Sequence, residues 1–162
     1  MPALRSNVFF VYGTLMRGRC RASAWPVRPT RVTAATVQGS LFDLGSYPGF
    51  MPNGDARVSG ECWWFPDRDL PNVMRTIDQV EACRGRHDDE YARELIDCRL
   101  QNGFAQRAWV YCYRRDVSAL TPIPANAKGL CAWTGTGELD AAERQATRLG
   151  LSEAGALRRP VR

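Results

Sequence analysis

The sequence carries a single lysine, Lys128, and a single histidine, His87. Any Ser-His-Asp or Cys-His nucleophile arrangement would therefore have to use His87, and no nucleophile-elbow motif accompanies it. No two of the six cysteines, Cys20, Cys62, Cys83, Cys98, Cys112 and Cys131, stand at the C-x-x-C spacing. That spacing would be needed for a zinc knuckle or a thioredoxin-type motif. No apolar run approaches the length of a membrane span. Residues 1–7 are polar and the apolar run after them is too short for a secretory h-region, so a cytoplasmic protein with free thiols is expected.

With 162 residues, 44% of them hydrophobic and 24% charged, the chain is read as one domain spanning 1–162. Its formal charge of +5 is carried by arginine. The arginines are scattered, with small clusters at 17–21 and 158–162. No basic stripe interleaved with aromatics appears, so a nucleic-acid partner is disfavoured.

Val8, Phe9, Phe10 and Val11 form a continuous apolar run, the pattern of a strand buried on both faces. Tyr12-Gly13-Thr14 stops it. Gly13 permits unusual dihedrals and close approach of a ligand to the main chain. Free N–H groups at such a strand end suit a carboxylate or phosphate. Further strands are expected over 31–44 (or a bent pair there) and 56–65, with a loop over 45–50 in which Pro48-Gly49 forms a type II turn. A hairpin follows over 91–100 and 104–113, around Asn102-Gly103. A helix starts with Asp69 as N-cap and Pro71 in its first turn, and ends by Gly85. Leu70, Val73, Met74, Ile77 and Val80 give it one apolar face. Residues 138–149 suggest a short helix and 157–162 a loose basic tail.

Glu81 is out of place on that helix. At 100° per residue it projects only about 20° around the axis from Leu70, inside the apolar stripe, whereas Asp78 falls near the stripe's edge. A carboxylate there needs an outward bend of the last turn, an arginine partner, or a polar pocket in which it serves as a general base. Glu61 lies among aromatics in a strand, where alternation alone can point it outward. His87-Asp88-Asp89-Glu90 holds metal-ligand residue types, but neighbours on one loop rarely converge, and no metal site is assigned.

Taken in order, these motifs resemble the γ-glutamylcyclotransferase-like family, particularly its γ-glutamylamine cyclotransferase branch. Val11-Tyr12-Gly13-Thr14-Leu15 with Arg17-Gly18 is similar to the opening signature. Leu41-Phe42-Asp43-Leu44-Gly45-Ser46-Tyr47-Pro48-Gly49 is similar to the second motif, and Val58-Ser59-Gly60-Glu61 to the strand after it. Asp78-Gln79-Val80-Glu81, Tyr91-Ala92-Arg93 and Ala108-Trp109-Val110-Tyr111 resemble the remaining motifs. The likeness spans about residues 7–113. Ala82 replaces the usual glycine after the glutamate, and 115–162 has no counterpart placed.

The resemblance implies an α+β fold, a small mixed β-barrel with few helices enclosing a pocket. It implies Glu81 as catalytic acid/base, and Tyr12, Gly13, Thr14, Leu15, Tyr47 and Tyr91 as substrate-binding residues, with no metal and no cofactor. The implied reaction is intramolecular: the α-amine of a γ-glutamyl group attacks its own γ-carbonyl, giving 5-oxoproline and a free amine or peptide. The competing readings are a non-catalytic domain binding a small molecule in the same pocket and an arginine-rich protein associated with nucleic acid. The oligomeric state and the group attached to the γ-glutamyl moiety are not specified by the sequence.

Overall fold

The computed structural model describes residues 5–135, so the expected helix over 138–149 and tail over 157–162 lie outside the described residues. Strand β1 (Val8–Val11) is buried along its whole length. Val8 and Phe10 enter one apolar cluster and Phe9 and Val11 a second, which is why the run has no polar alternation. Strands β2 (Arg31–Asp43) and β3 (Pro48–Trp64) form a long antiparallel hairpin. Helix α1 (Leu70–Val80) follows, then the hairpin of β4 (Tyr91–Leu100) and β5 (Ala105–Tyr113), and finally β6 (Leu130–Cys131).

The sheet runs β1-β5-β4-β2-β3 and closes through a β1–β3 pairing, with β6 added to β3. β1 lies parallel to β5 and antiparallel to β3, so the barrel is mixed. This is the small α+β barrel that the sequence led us to expect, with one α-helix among the described residues. One cluster, built around Phe10, Phe50, Val58 and Val110, brings together residues from all five barrel strands. The second contains Val73 and Ile77 of α1 together with Phe9, Trp63 and Phe65. Trp25 stacks there on Trp63 and Phe65, with centroids 5.0 and 4.9 Å apart. Phe9 meets both Trp25 and Phe65 edge-on. No helix of the described residues is long and apolar enough to cross a membrane.

The turn between β2 and β3 departs from expectation. Pro48 and Gly49 open β3 instead of centring a type II turn. The chain has already reversed one step earlier, where the Leu44 N–H donates to the Tyr47 carbonyl (3.0 Å) and Gly45 takes φ +103°. Pro48, lacking an N–H, is harmless at a strand's first residue. β3 therefore begins well before residue 56. The pairing jumps from Gly39↔Ala56 to Ser40↔Met51, leaving 52–55 as a bulge held by the Ser40 hydroxyl on the Asn53 carbonyl (2.7 Å).

The described part of the segment left unassigned, residues 115–135, also has a place. Ile123 donates its N–H to the Leu41 carbonyl (2.7 Å), and β6 pairs with Arg57 and Val58 of β3. Trp133, just beyond β6, packs into the first cluster.

Candidate functional site

Helix α1 ends in a way that fixes Glu81. The Cys83 N–H donates to the Asp78 carbonyl (2.8 Å) and the Ala82 N–H to that of Gln79 (3.1 Å), the paired bonds of a Schellman motif. Glu81 is the C-cap, its N–H on the Ile77 carbonyl (2.8 Å), and Ala82 takes the left-handed conformation at φ +51°. The helix therefore stops at Val80, before Gly85, and an alanine occupies the position where glycine is preferred. At the other end Asp69 stands at the N-cap, but its side chain makes no capping bond; a 3-10 turn over Asp67–Asp69 leads in instead. Glu81 is 7% exposed. The last turn does not bend outward, and the carboxylate faces a pocket.

The opposite wall is the loop that leaves β1. Tyr12, Gly13, Thr14 and Leu15 all line the pocket and all are buried. Gly13 is required for closeness. A Cβ there would stand 2.6 and 2.7 Å from the Pro48 ring, while its φ is not positive. The unusual dihedral expected of Gly13 is thus replaced by tight packing. The loop is a chain of turns: Met16 donates to the Gly13 carbonyl (3.1 Å), Arg19 to Met16 (3.0 Å) and Arg21 to Thr14 (2.8 Å). Among the described residues, the N–H groups of Gly13, Thr14 and Leu15 have no acceptor. Arg17 donates its N–H to Glu61 Oε1 (2.9 Å) and its Nε–H to Oε2 (3.1 Å), and the Trp63 indole N–H donates to the same carboxylate (3.2 Å).

Aromatic residues complete the pocket. The Tyr91 hydroxyl donates to the Pro48 carbonyl (2.8 Å), and its ring lies 6.4 Å from that of Tyr47. The Tyr12 hydroxyl donates to the Tyr111 carbonyl (2.5 Å) and accepts the Phe50 N–H (3.2 Å). The hydroxyls of Tyr12 and Tyr91 thus have partners in the protein, and both residues line the cavity. The empty space, including the mouth, is about 380 Å³. All seven residues singled out from the sequence, Glu81 included, line this one cavity.

Tyr111 was not singled out, and it too lines the pocket. Its hydroxyl donates to Asp78 Oδ1 (2.6 Å), and Arg93 donates to the other Asp78 oxygen while lying over the Trp109 ring. Burial, then the hydrogen bond and negative charge of Asp78, then Glu81, push the Tyr111 hydroxyl above its ordinary range. It stays a neutral donor at any physiological pH. The signal that would have found it is period-two alternation. Tyr111 lies on the β5 face that carries Trp109 and Tyr113, and that face packs with the helix stripe holding Val73 and Ile77.

The His87-Asp88-Asp89-Glu90 segment does not converge. His87 and Asp88 are exposed, and Asp89 accepts the N–H groups of Arg84 (2.7 Å) and Arg86 (3.0 Å). Glu90 is buried 3.7 Å from Arg115. Among the described residues no group of three His, Cys, Asp or Glu is placed to hold a metal ion. All six cysteines are free thiols.

Comparison with known proteins bears on this site. Residues 9–129 match the family model described as γ-glutamyl cyclotransferase, AIG2-like. The chain is 30% identical over 119 residues to γ-L-glutamyl-butirosin B γ-glutamyl cyclotransferase of Niallia circulans, covering 70% of this chain and 73% of that one. It is 34% identical over 115 residues to a γ-glutamylcyclotransferase family protein of Citrobacter rodentium, covering 70% and 88%. A mouse AIG2-like protein has a similar fold, with TM-score 0.53 and 19% identity over 70% of this chain and 80% of that one.

Proposed function

Because this chain belongs to the γ-glutamyl cyclotransferase, AIG2-like family and is an enzyme of the cyclotransferase type, we propose that its pocket closes a γ-glutamyl group on itself with Glu81 as the acid/base. The substrate's α-ammonium loses a proton to the Glu81 carboxylate, and the freed amine attacks the γ-carbonyl carbon. The new C–N bond closes a five-membered ring, and the old amide C–N bond breaks. The proton held by Glu81 passes to the departing nitrogen, and Glu81 then relays the second proton from the ring nitrogen to the released amine, leaving 5-oxoproline and an ammonium group with the carboxylate restored. Both electrophile and nucleophile belong to the substrate, so the protein needs no nucleophile of its own. Holding the chain folded supplies much of the acceleration.

The observation that carries this reading is the pairing of opposites across one cavity. A buried carboxylate at the end of α1 faces the pocket, and the same pocket is lined by Gly13, Thr14 and Leu15, whose N–H groups are unclaimed. We assign those N–H groups to the substrate carboxylate or the developing oxyanion. Tyr12, Tyr47 and Tyr91 supply apolar walls that exclude water from the folded chain. Within the family we propose the γ-glutamylamine branch, which the motifs taken together resemble, so the expected leaving group is a simple or side-chain amine.

The test is a panel of γ-glutamyl compounds (dipeptides, glutathione, ε-lysine isopeptides and simple amines) scored for 5-oxoproline. Release from at least one compound, abolished by Glu81→Gln, supports the reading. A Glu81→Gln variant retaining more than a few per cent of kcat overturns the assignment of the base.

A further inference from the structure

We propose that Glu61 is a positioning residue that sets the shape of the pocket-lining loop by holding both of its ends at once. In the β1–β3 ladder Glu61 stands directly opposite Val11, the last residue before the loop. Its carboxylate reaches forward to take the N–H and Nε–H of Arg17, just past the loop's lining residues. One residue of β3 therefore closes the segment from 11 to 17, and everything between, Tyr12 to Met16, is strung across it. The Trp63 indole N–H bonds to Oε1, the oxygen that also accepts the Arg17 main-chain N–H, and so fixes the rotamer of the carboxylate.

The two bonds to Arg17 differ in weight. The Arg17 side chain is 62% exposed against 16% for Glu61, so the ion pair is screened by water and contributes little. The bond from the main-chain N–H is different, because it fixes the backbone itself. If it is lost, the Met16–Arg17 peptide can rotate, and the turn closed by Met16 on Gly13 loosens with it. The main chain of Gly13, Thr14 and Leu15, which lines the pocket, then loses its fixed path. This role concerns the shape of the loop; its consequence for turnover rests on the function proposed above. On that basis Glu61 acts on binding, through the substrate carboxylate that the loop's N–H groups would hold.

The experiment compares full-length wild type with Glu61→Ala, Glu61→Gln and Arg17→Ala. Amide hydrogen exchange at residues 16 and 17 is measured without ligand, and kcat and KM are measured with the best substrate of the panel. Glu61→Ala should speed exchange at 16 and 17 by about tenfold, leave the β4–β5 hairpin unchanged, and raise KM about tenfold with kcat within about threefold. Glu61→Gln keeps an acceptor oxygen and should restore exchange and KM to within about threefold of wild type, and Arg17→Ala should stay in the same range. Unchanged exchange at 16 and 17 in Glu61→Ala overturns the proposal, as does Glu61→Gln behaving like Glu61→Ala. Should Glu61→Ala not fold, Glu61→Leu keeps the side-chain bulk without the acceptor and is read by the same criteria. If wild type releases no 5-oxoproline from any compound, the functional reading fails, while the exchange result alone still decides the role of Glu61.

Discussion

On one side of the pocket the protein presents main chain, the turns through Gly13, Thr14 and Leu15, and on the other a single carboxylate, Glu81, at the end of α1. In the proposed reaction the loop wall works through N–H groups that every residue but proline possesses, so its side chains would be free to vary where space allows. The helix wall depends on one functional group. Its position is set by a Schellman motif six residues of backbone long, in which no other side chain need be conserved. Substitution should therefore act through shape on the loop side and through chemistry on the helix side.

The largest expected effect strikes the helix wall. Glu81→Gln keeps the shape and removes the proposed proton carrier, so kcat for 5-oxoproline release should fall about 10²- to 10⁴-fold, with the circular dichroism spectrum unchanged. Next comes the loop wall, tested through shape. Gly13→Val drives side-chain atoms into the Pro48 ring and should lower kcat/KM by more than about tenfold, whereas Thr14→Ser should stay within about threefold. Equal losses at both positions would erase the contrast between the walls.

Tyr111 bridges the comparison, since it lines the pocket and bonds to the helix through Asp78. Tyr111→Phe leaves one oxygen of that carboxylate without its donor and should cost about 1–2 kcal/mol in urea denaturation at pH 7. The same hydroxyl predicts a pH dependence. Its folded-state value is raised above the unfolded one, so its contribution is fully present below about pH 10 and is lost as pH rises beyond. Wild type should lose more stability between pH 9 and pH 11 than Tyr111→Phe does. Matching alkaline curves would remove the hydroxyl from the account.

The smallest effect concerns the motif that aims Glu81. Ala82→Gly relieves a left-handed alanine on an exposed position, and should stabilise the protein by about 0.5–1 kcal/mol after the greater freedom of glycine in the unfolded chain is deducted. Activity should not change, because the backbone path is already that of the motif.

Much of this arrangement was legible in the residues. The apolar run of β1, the Asn102-Gly103 hairpin and the stripe of α1 are local patterns, and each corresponds to an observed element. Glu81 stood out because a charge on an apolar face contradicts its surroundings. What stayed hidden depends on contacts distant in sequence. Gly13 is shaped by Pro48, the Glu61 carboxylate by Arg17, and Tyr111 by Asp78; periodicity within one element carries no information about any of these pairs. Pro48-Gly49 misled for a related reason. The dipeptide suits a turn, but the reversal at residues 44–47 had already been made, and the strand took it up.

Barrel closure sets the order in which the parts can assemble. β1 has no partner near it in sequence: it pairs with residues 61–64 of β3 and touches Trp109 of β5, and the Tyr12 hydroxyl bonds to a carbonyl 99 residues away. At about 5–20 residues per second, a ribosome needs roughly 5–20 s to supply that partner. Val8, Phe9, Phe10 and Val11 can pair with β3 before then, but the barrel stays open until β5 has been made. Contacts this distant form late, because the closing loop is long. The loop assigned above to substrate hangs from a strand whose partners are all distant in sequence, so the pocket takes its shape only once the barrel has closed.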